Sequence, residues 1–466
     1  MRRVILITLI FGFLNAHALN SDSARTVIKI FEENNKNQLV LDFEAALASA
    51  QAAQGIIPTW AAEEISSKAD IKYAPLIEIR EEYEVVNHRM VALLNVWSRS
   101  IKNGAHEYVH FGATTVDIYD TVLILQLNEA STVILNYLLN VEATLMTLAM
   151  KHRDTVMAGR TRGQHALPIT FGKKVSTWLG ENRRNIDRLK EVQSRLAKSG
   201  ILKGAVGTHL GLGEKGKNTE LLMMEELKLS KPFSDDWHPA RDVLAEYASV
   251  LALVSKSFGR IGNELFLLQM TDIGETEEIL SKSSVSSSTM PHKKNPSKPE
   301  ALIFYSRVIP SMAEVIMDDM INTFERDDTS RTAKVLASIS LETEQMLLQA
   351  NLLLKKLKIN EQVMLDNLER TNGLIMSQRI AFELADKIGK ATANNLMRKV
   401  VKKAFQENIP LKEAITRSPE ISKYFSNEQL DNLLDPSTYI GLSAEQTESV
   451  VKEIFEKRKL EDAILD

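Results

Sequence analysis

Five long stretches of this chain contain almost no glycine or proline, and few folds can accommodate them. They cover residues 118–151, 168–199, a run from 239 onward, 299–322 and 334–356. In the third, Val243, Tyr247, Val250, Val254, Phe258, Ile261 and Leu265 recur at steps of three or four, the period of a helix and not of a strand. Helices of about 25 to 33 residues would be roughly 40 to 50 Å long at 1.5 Å per residue. Helices this long and apolar need cover on more than one face. A long bundle that also packs against other copies of the chain supplies it.

The flanks read differently. Residues 19–112 carry several short helical patterns, one of them stopping at Gly55 and Pro58. From 359 to 466 the patterns are short and broken by Gly373, Pro410, Pro419 and Pro436. The expectation is all-α, with three helical domains at 19–112, 113–358 and 359–466, the middle one a five-helix bundle. Aromatics make up only 6% of the chain, so aliphatic helix packing must carry the core. A net charge of −4 gives no bulk attraction to nucleic acid, so an anionic ligand has to be held by local cations. The absence of cysteine excludes thiol nucleophiles, disulfides and Cys-based metal sites.

Residues 1–18 read as a signal peptide. Arg2 and Arg3 precede an apolar stretch over 4–14, and Ala16-His17-Ala18 has the form of a cleavage site. The apolar part is too short to span a bilayer as a helix. The mature chain is therefore expected in the periplasm or medium, without stable membrane insertion. The alternative is a cytoplasmic protein with a fortuitous upstream start.

Three polar segments sit at the ends of the long runs. In 110–121, Thr114 and Thr115 can cap the adjoining helix, leaving free amides and hydroxyls for a carboxylate. Plain capping explains the same residues. In 159–174, Arg160, Arg162, Gln164 and His165 crowd together before Pro168, which suits a first helical turn. The arginines offer forked donors for carboxylates, or form a solvated basic turn. In 281–300, a serine run containing Ser287 and Ser288 leads into Met290, Pro291, His292, Lys293, Lys294, Asn295 and Pro296, just before a long helix. A plain linker explains the serines but not the Met-Pro-His-Lys-Lys-Asn-Pro run after them. A loop that closes over an anion and brings a hydroxyl near a lysine is a catalytic device. His106, His152 and His209 read as surface or turn residues. No His and acidic set has metal-ligand spacing and no cofactor loop appears, so neither metal nor cofactor is expected.

The three segments, in order and spacing, resemble the three separated motifs of the aspartase/fumarase superfamily. The third is similar to its signature loop, GSSxMPxKxNP, at 281–296. The resemblance points to the branch of the adenylosuccinate lyases and 3-carboxy-cis,cis-muconate cycloisomerases. It implies a homotetramer whose active sites form where three subunits meet, acting on a small di- or tricarboxylate. It further implies proton removal beside a carboxylate, then loss of a leaving group through a doubly charged aci-carboxylate. Ser287 matches the general-base position; Thr114, Thr115, Ser288, Lys293 and Asn295 match substrate and intermediate binding.

Departures accompany the match. The family glycine before the serine pair is Ser286 here. The general-acid histidine of adenylosuccinate lyases falls at Arg162, which cannot shuttle protons near neutrality. That role passes to His88, His110 or His165, or is dispensed with. The cycloisomerases also lack that histidine and share the Trp-His-x-x-Arg-Asp pattern of Trp237, His238, Arg241 and Asp242. His88 and the Glu325-Arg326-Asp327 sequence are similar to adenylosuccinate lyases instead. The family glutamine before Arg-Asp is Ala240. The arginine expected nine residues after Arg326 is Val335, with Arg331 as a substitute. The leading reading is a cofactor-independent carbon–nitrogen lyase that releases fumarate from an N-substituted aspartate. The alternatives are a lactonising, cycloisomerase-like enzyme and a non-catalytic structural homologue.

Overall fold

The five long runs fold as helices. In the computed structural model, residues 26–235, 237–280, 287–327 and 332–465 are described. The amino-terminal domain holds α1 (Val27–Ile30), α2 (Glu33–Ala53), α3 (Thr59–Ser67), α4 (Leu76–Val86) and α5 (Arg89–Ser98). The bundle is built from α6 (Thr115–Lys151), α7 (Phe171–Leu196), α9 (Asp242–Leu268), α10 (Ser297–Asp318) and α11 (Ala333–Lys355). Short α8 (Gly216–Glu226) comes after α7 and returns to the amino-terminal domain, where Met223 and Met224 join Phe43, Leu47 and Trp97 in one core.

The bundle helices alternate in direction around a single apolar core. Leu138 and Leu145 of α6, Trp178 and Leu189 of α7, and Tyr247 and Phe258 of α9 meet there, with Leu302 of α10 and Leu347 of α11. By length and composition α6 could cross a membrane, yet here Leu127, Ile134, Leu138, Val141 and Leu145 of α6 are buried in the bundle core. Helices α9 and α10 approach each other closely. A Cβ on Gly259 would lie 2.3 Å from the Ser306 Cβ, and one on Gly262 would lie 2.7 Å from the Leu302 Cβ. These two glycines are what lets the helices touch.

Two short ribbons interrupt the helices. The second polar segment is not a first helical turn but an antiparallel hairpin, β1 (Val156–Thr161) with β2 (Gln164–Thr170). Its two-residue turn, Arg162-Gly163, has φ of 53° and 76°, the left-handed pair that matches strand twist. Pro168 pairs with Ala158 in this two-stranded ribbon, where a missing donor is tolerated, and the helix waits until Phe171. The other ribbon joins β3 (Thr276–Glu278) to β4 (Leu357–Ile359).

After β4 come α12 (Glu361–Glu369), α13 (Ser377–Ile388), α14 (Lys390–Glu407), α15 (Leu411–Thr416), α16 (Pro419–Ser422) and α17 (Asn427–Leu434). Helices α13 to α17 share a small core around Leu384, Leu411 and Leu430. The last helix, α18 (Ser443–Leu465), leaves that core, and its Val451, Ile454 and Phe455 pack into the bundle. His152, read as a surface or turn residue, lies in the turn after α6 but is buried, its ring edge-to-face with Phe171 and 3.1 Å from the Thr155 hydroxyl.

Candidate active site

Helix α6 separates the first two polar segments by its whole length. Thr114 is its N-cap and Thr115 its first residue, whereas the β1–β2 hairpin begins just past its other end. At 1.5 Å per residue, its 37 residues span about 55 Å. Within one copy of the chain the two segments therefore cannot meet. The remaining site residues sort to one end or the other.

At the near end, the fully buried Asp117 carboxylate accepts the backbone N–H of Thr114 at 3.0 Å, of Lys203 at 2.9 Å and of Gly204 at 2.9 Å. Burial pushes its pKa up against these three bonds, which pull it down. His110 stands at φ 62°, with its backbone N–H and its Nδ1 each 2.9 Å from an oxygen of buried Glu44. Burial works to lower the imidazole pKa, but the bond and charge of Glu44, with Asp117 behind it, leave it raised. His88 is the exposed N-cap of α5, not a residue between apolar neighbours inside a helix. Its Nδ1 accepts the Val91 N–H at 3.3 Å, which places the neutral ring's proton on Nε2.

Arg241 and Arg326 line one cavity of about 480 Å³ at this end, beside Val116 and Tyr119 of α6. Asp120 orients two of its walls, lying 2.8 Å from His238 Nδ1 and accepting from Arg241 at 3.0 Å. That shared carboxylate explains the spacing of the Trp-His-x-x-Arg pattern.

At the far end, Arg160 does not project freely. It donates to both oxygens of buried Glu275, at 2.9 and 2.5 Å. Arg162 is exposed at the hairpin tip, Gln164 pairs with Thr161, and His165 sits across from Arg160. Burial depresses the His165 pKa; Arg160 and Arg370 depress it further, and Glu275 opposes them. Its Nδ1 makes no hydrogen bond among the described residues.

The signature loop lies at the same end. The Ser287 hydroxyl accepts the Met290 N–H at 3.0 Å, and the Ser288 hydroxyl is 3.3 Å from that of Thr289. Lys293 and Asn295 line a cleft of about 680 Å³ with Gln269, Glu277 and Asn360. Lys294 pairs with Glu277, and Lys298 of α10 binds Glu278 through its backbone N–H at 3.0 Å and its Nζ at 2.5 Å, so residues 294–298 are tied to β3. Ser286 and Arg331 lie outside the described residues. Among the described residues no group of three His or acidic side chains could hold a metal ion.

Residues 19–310 match the family described as Lyase, and residues 373–450 match the adenylosuccinate lyase C-terminus. An adenylosuccinate lyase of Methanocaldococcus jannaschii is 38% identical, over 92% of this chain and 94% of that protein. An N-acetyl-S-(2-succino)cysteine lyase of Dickeya dadantii is 35% identical, over 91% of this chain and 93% of that protein. The crystal structure of a 3-carboxy-cis,cis-muconate lactonizing enzyme from Pseudomonas putida superposes with a TM-score of 0.84 at 33% identity, covering 92% of this chain and 96% of that one. The chain belongs to the aspartase/fumarase superfamily. It is an enzyme, a fumarate-releasing lyase.

This lyase brings Thr114, Thr115, His88, His110, Arg241 and Arg326 to one end of its bundle, and Arg160, Arg162, Gln164, His165, Ser287, Ser288, Lys293 and Asn295 to the other. Four charged residues of the near-end cavity escaped the sequence reading: Lys36 of α2, Arg89 of α5, Asp120 of α6 and Asp319. Arg89 adjoins a histidine already singled out, and that adjacency was the available signal. Nothing around Lys36 in the sequence marks it.

Proposed function

We propose that this lyase works as a homotetramer in which each active site joins the near end of one copy to the far ends of others. The observation that carries the proposal is the length of α6, which keeps Thr114 and Thr115 away from Ser287 and Lys293 within a single chain. Antiparallel packing of copies along the bundle would bring opposite ends together. Leu253, Phe304, Val315 and Leu352 leave exposed apolar surface on the bundle helices, which such packing would cover.

The proposed reaction is β-elimination from an N-substituted aspartate. Ser287, acting as the alkoxide favoured by the charge of Lys293 and by backbone amides, takes a proton from the carbon beside one carboxylate and becomes the neutral hydroxyl, and the electron pair moves into that carboxylate to give the doubly charged aci form. The pair then returns to form the double bond as the C–N bond breaks. The amine leaves with a proton from an acid, and fumarate remains. Lys293, Asn295 and the amino terminus of α6 with Thr114 and Thr115 stabilise the charge as it develops. His110, whose raised pKa favours the protonated ring, is the histidine best suited as the acid. His165, depressed by burial, is the least suited. A lactonising reaction is the second reading, favoured by the His238–Asp120–Arg241 arrangement that embodies the pattern shared with cycloisomerases.

The deciding experiment tracks the ultraviolet absorbance of fumarate over a panel of adenylosuccinate, argininosuccinate, aspartate and N-acetyl-S-(2-succino)cysteine, and the loss of the substrate's own absorbance for 3-carboxymuconate. Fumarate released from a succinylated amine supports the proposal. Turnover of carboxymuconate alone would replace it with the lactonising reading. The leader supports a further proposal, export with a mature chain beginning at Leu19. Amino-terminal sequencing of the native protein tests it, and a native cytosolic chain retaining Met1 would refute it.

A further inference from the structure

The near-end cavity is lined by four cations and by three carboxylates, Asp120, Asp319 and Asp327, of which Asp319 accepts the Thr332 hydroxyl and Asp327 the Thr323 N–H. Lys36, Arg89, Arg241 and Arg326 reach it from four separate parts of the chain. Arg241 shares Asp120 with His238, and its buried Nε still makes no hydrogen bond among the described residues. Lys36 and Arg89 form no ion pair among the described residues. The Lys36 ammonium lies over the Tyr119 ring, 5.0 Å from its centroid. Burial lowers its pKa, and the charge of Arg89 lowers it further against the weaker pull of Glu33. Two like charges held beside a cavity are unfavourable by themselves and become favourable when an anion enters between them. The apolar wall of Val116, Leu123 and Leu244 leaves room for an uncharged stem.

We infer that this cavity takes the leaving-group half of the substrate, and that the leaving group carries an acidic group of its own, seated on Lys36 and Arg89. The inference rests on the elimination proposed above, in which Thr114, Thr115, Lys293 and Asn295 take the two carboxylates of the succinyl half. The substrate is then at least a triple anion. A carboxylate and a phosphate would meet these cations alike.

The test uses the full-length enzyme and matched probes. N-Acetyl-S-(2-succino)cysteine and N-(1,2-dicarboxyethyl)glycine are each compared with the carboxamide that removes the leaving-group acid, with adenylosuccinate as the phosphate arm. The wild type should prefer each acid over its amide by about tenfold or more in kcat/KM, and Lys36→Met with Arg89→Met should bring that ratio near one. Equal turnover of acid and amide, or a ratio that survives both substitutions, overturns the inference. A second measurement does not depend on turnover. N-Acetylcysteine, its amide and adenosine monophosphate are tested for protecting Lys36 from acetic anhydride, read by peptide mass spectrometry with exposed Lys72 as the control. Protection by an acid but not by the amide supports the site even if no probe releases fumarate, a result that would sink the elimination alone. Which acid protects identifies carboxylate or phosphate. Protection by neither acid overturns the inference.

Discussion

Arg160 and Glu275 form a two-pronged ion pair that ties the β1–β2 hairpin to the segment leading into the signature loop. Glu275 is fully buried, accepts from the Asn367 amide at 2.8 Å and offers its backbone carbonyl to Asn360 at 3.0 Å. Three elements therefore hang on one residue. Removing one member of a buried pair leaves an uncompensated charge, so Glu275→Ala should cost about 3–5 kcal/mol. Thermal melts should show most of that loss recovered in an Arg160→Met, Glu275→Leu double variant. Failure of the double variant to recover would mean that packing, and not the stranded charge, dominates.

The α9–α10 contact should tolerate no side chain at Gly259, because a methyl group there meets Ser306 at 2.3 Å. Gly259→Ala should destabilise by roughly 1–3 kcal/mol through overpacking. Gly180→Ala serves as the control, since a Cβ there meets only the flexible tip of Arg184 at 3.6 Å. Equal melting temperatures for the two variants would contradict the close approach.

The His110–Glu44 bond sets a pH dependence. A histidine whose pKa is raised on folding adds stability that is complete below its unfolded value, about 6.5, and is lost as pH rises through the folded value. His110→Asn preserves tolerance of the left-handed backbone while removing the titrating ring. The melting-temperature difference between wild type and His110→Asn should be largest near pH 6 and shrink as the medium becomes alkaline. A difference that grows with pH would reverse the assignment.

In the proposed tetramer, Arg162 at the exposed hairpin tip would reach a ligand held by another copy of the chain. Arg162→Ala should raise KM far more than it lowers kcat, because a permanent charge that binds a carboxylate acts in ground state and transition state alike. A loss confined to kcat would make Arg162 part of the chemical step.

The long helices were legible because an apolar residue every three or four positions, with proline almost absent from the runs, leaves a chain no other regular solution. Thr114 as N-cap was legible for the same local reason. The hairpin was not: Pro168 before a helical run mimics a helix start, while the turn depends on Arg162 adopting a backbone angle that glycine usually supplies. His152 was legible as a turn residue, but not its burial, which comes from Phe171, across the hairpin. Arg160 looked like a ligand-binding fork because its partner Glu275 lies 115 positions away. Lys36 and Arg89 acquire meaning only when α2, α5 and α6 meet. Such convergence of helix ends is a property of packing and leaves no trace in local spacing.

Sharing of the active site between copies is tested most directly by complementation. Ser287→Ala removes the proposed base at the far end, and an Arg241→Met, Arg326→Met double variant is designed to disable the near end, so each protein alone should be nearly inactive. Co-expressed, the two should assemble mixed tetramers in which roughly a quarter of the sites draw an intact copy of both ends, restoring that share of wild-type fumarate release. A mixture that is demonstrably mixed yet no more active than its parents would contradict a site built from different copies. Wild-type turnover in Ser287→Ala alone would remove the signature loop from the chemistry.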